Sequence, residues 1–141
     1  MNRIFNFLVI SVMIGVFGQE EPLRKYTEEL QQHTQRCATE NKISNNIKLQ
    51  FMNNSPDGLI QKSRRFSCFL GCVYQAMEFV SPDGQLLMNN IFEKLNNVYT
   101  MEWVDYIFDW CGRIAEKDLC ERSYSLYSCF DHLTADTRYP D

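Results

Sequence analysis

Six cysteines, at positions 37, 68, 72, 111, 120 and 129, constrain this 141-residue chain more than any other feature of it. What they can do depends on the compartment, and the N-terminus speaks to that. "MNRIFNFLVISVMIGVFG" carries one positive charge, Arg3. An apolar run from Ile4 to Phe17 follows, broken by Asn6, Ser11 and Gly15, and it ends abruptly at "QEEP". This is the layout of a secretory signal peptide, with cleavage expected after Gly18. The run is short for a membrane anchor and no second span follows it. The mature chain is then Gln19 to Asp141, 123 residues forming one domain with a modest core. It is expected to be secreted and extracellular, where an even number of cysteines reads first as disulfides, here three.

The other uses of cysteine fit less well. A structural zinc site takes tetrahedral Cys/His ligands, usually in close pairs. Cys68 and Cys72 could supply one pair, but no second pair matches it, and His33 and His132 are isolated. The Cys-x-x-Cys of thioredoxin-like redox chemistry is absent. No metal and no cofactor are expected. No catalytic residue is expected either: G-x-S-x-G and H-E-x-x-H are missing. Asp131 and His132 are adjacent on a helical stretch and so face different directions. Removing Arg3 from the 14 basic residues leaves 13 against 18 acidic ones, a net charge of −5 without a basic patch, which argues against nucleic acid as a partner.

Between a few turn signals the apolar spacing is helical. "NNSPDG" (53–58) and "SPDG" (81–84) each combine a potential helix cap, a proline and a glycine. Leu23, Tyr26, Leu30 and Cys37 recur at helical intervals behind Pro22, which suits a first helical turn. Ile43, Ile47 and Phe51 suggest a short helix; Leu87, Met88, Ile91, Phe92 and Leu95 form a stripe on another. Longer helices are expected over 64–80 and 101–115. No alternating β pattern appears, so the fold class is all-α, about six helices. Asn53-Asn54-Ser55 is a glycosylation sequon, disfavoured by the following Pro56.

At about 100° per residue, Cys68 and Cys72 lie on one face of their helix, about 40° apart. Phe66, Phe69, Leu70, Val73, Ala76, Met77 and Val80 make the apolar arc wider than half the circumference, the mark of a helix sandwiched between neighbours. Cys111 falls within the arc of Val104, Ile107, Phe108 and Ile114, opposite Asp105, Asp109 and Arg113. Cys120 and Cys129 are nine residues apart, about half a turn, so one helix carrying both points them at different partners. Long-range, interlocked bridges suit this geometry better than local loops.

The complete spacing, Cys37-x30-Cys68-x3-Cys72-x38-Cys111-x8-Cys120-x8-Cys129, resembles the insect odorant-binding proteins, the pheromone/general odorant-binding family. Three residues between the second and third cysteines and eight between the fifth and sixth are its signature. Glu121 and Tyr124 in "CERSYSLYSC" also look like the family, and the likeness spans essentially the whole mature chain. Saposin-like proteins, also small and helical with six cysteines, place them in close pairs near both ends, which this spacing does not do.

The resemblance implies six helices around an apolar cavity and an interlocked pairing, which by position is Cys37–Cys72, Cys68–Cys120 and Cys111–Cys129. It implies a non-enzymatic carrier that reversibly binds small hydrophobic ligands such as odorants or pheromones, with a membrane chemoreceptor as a further partner. The alternative keeps the fold for a salivary, haemolymph or reproductive-fluid carrier, or a protein-binding factor, outside olfaction. Candidate pocket-lining residues are Met77, Met88, Ile91, Phe92, Leu95, Val104, Ile107, Phe108, Leu126 and Phe130, on the inward stripes of the helices the family uses. For each the plainer role is core packing. Methionine adapts its shape to varied ligands but equally fills gaps. Trp103 and Trp110, seven residues apart on one line of their helix, read as packing residues. In related proteins the C-terminal tail can cover the cavity mouth; here it is polar.

Overall fold

A computed structural model describes residues 20–52, 59–96, 99–114 and 116–135. The expected leader (1–18), the "NNSPDG" turn with its sequon, and the tail beyond 135 lie outside these residues. Six helices account for most of the rest. They are α1 (Glu20–Glu40), α2 (Asn45–Met52), α3 (Arg64–Ala76), α4 (Met88–Leu95), α5 (Met101–Cys111) and α6 (Leu119–Ala135). Among the described residues there is no strand beyond an isolated antiparallel bridge between Val80 and Leu86.

The stripe read on α1 is its buried face: Leu23, Tyr26, Leu30, Thr34, Cys37 and Ala38 are all inside. Its outer face carries the ion pairs Arg24–Glu21 (2.5 Å) and Arg36–Glu40 (3.1 Å), spaced one turn apart. Helix α3 starts on Ser63, whose Oγ accepts a hydrogen bond from the Phe66 N–H at 3.0 Å, a side-chain N-cap. Helix α5 starts in the same way on Thr100.

Two helices stop earlier than their apolar spacing predicts. Helix α3 ends at Ala76 rather than Val80, with Glu78 in the left-handed region (φ 62°) and the Phe79 N–H donating to the Tyr74 carbonyl at 2.9 Å. The reason lies downstream. Gly84, at φ 86°, closes a turn by donating to the Ser81 carbonyl (2.8 Å), and the Leu87 N–H donates to the Phe79 carbonyl (2.9 Å). Reversing the chain here requires the helix to unwind first, and the pairing takes over backbone groups that another turn of helix would have used. "SPDG" therefore builds a reversal and does not cap α4, whose first residue follows Leu87 with no side-chain cap. Helix α5 ends at Cys111, not residue 115. Gly112 caps it by donating to the Phe108 carbonyl at 2.8 Å, and Arg113 and Ile114 close tighter i→i+3 turns.

Three disulfides join the helices: Cys37–Cys72 (α1 to α3), Cys68–Cys120 (α3 to α6) and Cys111–Cys129 (α5 to α6). This is the pairing the family resemblance implies. The opposed pair Cys120/Cys129 serves two different helices, and so does the one-faced pair Cys68/Cys72. The bridges span 35, 52 and 18 residues. On the chain-entropy account each removes about 3–4 kcal/mol of freedom from the unfolded chain.

The most extensive helix contact is α3 against α6. Gly71 makes it possible: a Cβ there would sit 3.2 Å from Leu119 Cγ and 3.3 Å from Ser123 Oγ, tighter than most side chains tolerate. At their N-termini Arg64 donates to both carboxylate oxygens of Asp118 (2.6 and 3.1 Å). Asp118 in turn accepts from the Glu121 N–H at 2.9 Å, capping α6. The Arg64 bond, with the cap behind it, holds the Asp118 carboxyl below its ordinary range.

Candidate functional site

The ten apolar candidates fall into one contiguous interior cluster. Met77 closes α3; Met88, Ile91, Phe92 and Leu95 come from α4; Val104, Ile107 and Phe108 from α5; Leu126 and Phe130 from α6. Eight are buried, while Met88 and Phe92 are half-buried at its margin. Phe108 and Phe130 meet edge to face with centroids 4.9 Å apart, and Phe130 meets Tyr74 the same way at 6.2 Å.

Of the two tryptophans, Trp103 is half-buried and stacks on Tyr99 at 5.0 Å. Trp110 departs from the expected packing role. It is 51% exposed, with the Arg113 guanidinium over its ring at 4.7 Å. The two share a line on α5, but Tyr99 covers the N-terminal one and at the C-terminal end the indole stays open to solvent with a cation on its face.

Beside the candidates lies an all-aromatic knot: Phe51 from α2, Phe66 and Phe69 from α3, Tyr124 and Tyr127 from α6. Its rings are 5.3 to 6.5 Å apart. Its polar atoms are matched. The buried Ile60 N–H donates to the Tyr127 hydroxyl (3.1 Å), and the Tyr124 hydroxyl donates to the Ile60 carbonyl (2.8 Å). Both backbone groups of one residue are thereby paired inside the protein.

Tyr26 and Tyr74 differ. Both are buried, at 4% and 6% exposure, and neither hydroxyl has a hydrogen-bond partner. Burial pushes both phenols well above their ordinary range, reinforced for Tyr74 by neighbouring Tyr127 and Tyr26, and for Tyr26 by neighbouring Tyr99 and Glu29. Both therefore stay protonated and able to donate. Outside this pair, Lys94 of α4 is ion-paired with Glu29 of α1, both largely shielded, and Glu29 also faces His33 at 3.8 Å.

Sequence reading places Tyr26 on the buried stripe of α1 but passes over both tyrosines as site residues. A tyrosine in place of phenylalanine on an apolar stripe is the available signal. Whether its hydroxyl finds a partner is settled by tertiary packing.

Comparison with known proteins identifies the class. The PBP/GOBP family model matches residues 19–132, and the chain belongs to this family of odorant-binding proteins. It is 31% identical over 97 residues to general odorant-binding protein 57e of Drosophila melanogaster, a match covering 67% of this chain and 68% of that one. Its fold is similar to that of the fatty acid binding protein OBP56a from the oral disk of the blowfly Phormia regina. That likeness has a TM-score of 0.62 at 20% identity, over 77% of this chain and 90% of the other. Among the described residues no helix is long and apolar enough to cross a membrane.

Proposed function

We propose that the protein is a secreted carrier that reversibly binds one small hydrophobic molecule in extracellular fluid, with no chemical turnover. The observation that carries this reading is the convergence of Met77, Ile91, Leu95, Val104, Ile107, Phe108, Leu126 and Phe130, with Met88 and Phe92 at the margin, in one interior of a chain of this family. The disulfides and the signal-like leader support secretion of Gln19–Asp141 as the working protein. The structural relative's fatty-acid binding supports an elongated apolar ligand.

The energetics fit such a role. A ligand burying about 250–300 Å² of apolar surface gains roughly 6–8 kcal/mol at about 25 cal/mol per Å². Immobilisation takes part of this back, and contacts in the site add to it. The outcome is a Kd near the micromolar range, about −8 kcal/mol.

The test is fluorescence of a naphthylamine dye with protein stripped of carried-over lipid. The dye is expected to brighten and to be displaced by long-chain esters or fatty acids, but not by sugars or nucleotides. Phe92→Asp places a charge at the margin of the interior and is expected to weaken binding at least tenfold, about 1.4 kcal/mol. Absence of any binding by the stripped wild-type protein would overturn the carrier reading. Normal binding by Phe92→Asp would move the pocket elsewhere.

A further inference from the structure

Two phenols without hydrogen-bond partners, buried in one apolar interior, give that interior a chemical preference. Resting on the carrier reading above, we infer that Tyr26 and Tyr74 are the head-group anchor of the site. Their hydroxyls donate to an oxygen acceptor at one end of an otherwise apolar ligand, so the preferred ligands are carbonyl-bearing chains and not bare hydrocarbons.

The position fits. Tyr26 comes from α1 and Tyr74 from α3, helices that pack on each other and are bridged by Cys37–Cys72, and Tyr26 lies near enough to help raise the Tyr74 phenol. Tyr74 rests edge-on against Phe130, which rests on Phe108, so the Tyr74 ring borders the apolar candidates, and Tyr26 is buried in the same cluster.

The chemistry fits as well. Leaving a buried polar group unmatched is costly, and native proteins keep few such groups without a reason. Thr34, Ser67 and Ser123 also have unmatched buried hydroxyls. Those side chains are short and sit on helices, where the carbonyl one turn back is within reach of a small rotation. A tyrosine hydroxyl, at the far end of its ring, has no such recourse. Ser123 moreover lies in the tight α3–α6 contact at Gly71, where there is no room for a ligand. Among the unmatched hydroxyls, that leaves Tyr26 and Tyr74 as the donors an incoming acceptor can satisfy; the one other unmatched buried donor among the described residues, Arg122 Nε, belongs to a side chain packed on Gly84. Because burial keeps both protonated, they donate at any physiological pH.

The experiment compares nonane with nonanal as displacers of the naphthylamine dye, using the full secreted chain. The two differ by one acceptor oxygen and no donor. Without a hydrogen bond, desolvating the carbonyl makes nonanal the weaker ligand. With the anchor, the wild-type protein is expected to prefer nonanal about tenfold, and the double variant Tyr26→Phe/Tyr74→Phe to bring the ratio close to one. A wild-type ratio at or below one overturns the anchor without reference to any variant, and so does a ratio that survives in the folded double variant. If the wild-type protein binds dye and displacers but shows no preference, the carrier reading stands and the anchor falls. If it binds none of them, both fall.

Discussion

At one end of the interior, Phe51, Phe66, Phe69, Tyr124 and Tyr127 pack ring against ring, and their hydroxyls close on the backbone of Ile60. At the other, Tyr74, Phe130 and Phe108 also pack as aromatics, with Tyr26 buried in the same cluster, but the Tyr26 and Tyr74 hydroxyls close on nothing. The residue types are the same and, half-buried Tyr124 apart, the burial is similar. What differs is polar matching. The Ile60 end satisfies its donors and acceptors internally and behaves as a solid core. The Tyr26/Tyr74 end leaves two donors for something that arrives later. Tyrosine is therefore a mortar in one region and a reader in the other, and only the geometry of its hydroxyl tells them apart.

Substitutions can break this comparison. The largest effect is expected from Phe66→Ala, which empties the centre of the closed knot; removal of a buried phenyl costs about 3–5 kcal/mol. Urea unfolding should show that loss, while the nonanal-to-nonane ratio of the folded fraction stays as in the wild type. A shifted ratio would mean the two ends are not separate.

Next comes Tyr127→Phe, which strips the buried Ile60 N–H of its acceptor and is expected to lower stability by about 1–3 kcal/mol. Tyr74→Phe, in contrast, removes an unmatched hydroxyl and should leave the unligated protein as stable as before or slightly more so. Equal losses from Tyr127→Phe and Tyr74→Phe in thermal melts would show that Tyr74 has a partner in the folded protein, and the distinction would collapse.

The smallest effect is on pH dependence. Burial raises the Tyr26 and Tyr74 phenols well above the usual value of about 10, so above that pH the unfolded chain ionises while the folded one holds its protons. The folded state then binds more protons than the unfolded one, and stability must fall as pH rises. Their contribution is flat below about pH 10 and is lost progressively above it. Alkaline unfolding of Tyr26→Phe/Tyr74→Phe should begin later than in the wild type; coincident curves would contradict the burial of these phenols.

The fold was largely legible because helical stripes and cysteine spacing are local quantities. The buried faces of α1 and α3 follow from residues such as Leu23, Leu30, Phe69 and Val73, and the disulfide partners follow the family pattern on the cysteine spacing. The early ends of α3 and α5 were not legible. Phe79 and Val80 continue an apolar arc perfectly well, and the helix ends because Leu86 and Leu87 return to pair with that segment. The candidate interior was legible as a set of apolar positions that meet. The partnering of each tyrosine hydroxyl was not, because it depends on where residues 60 and 127, or 26 and 74, come to rest relative to one another.

The disulfides also divide the helices into two mechanical kinds. Followed from bond to bond, they trace a single path, α1 to α3 to α6 to α5, and pass by α2 and α4, which contain no cysteine. Four helices thus form a cross-linked frame whose members cannot part far even when local packing fails. The other two are riders on that frame, held by packing, by the chain at their ends and by polar contacts to α1, Lys48 donating to Gln35 for α2 and the Lys94–Glu29 pair for α4. Amides in α4 can then exchange with solvent through openings that leave the frame intact, whereas those of α3 and α6 wait for a larger rupture. Half of the two-turn rider's eight residues, Met88, Ile91, Phe92 and Leu95, face the interior. The least tethered wall of the molecule is thus one that its contents would touch.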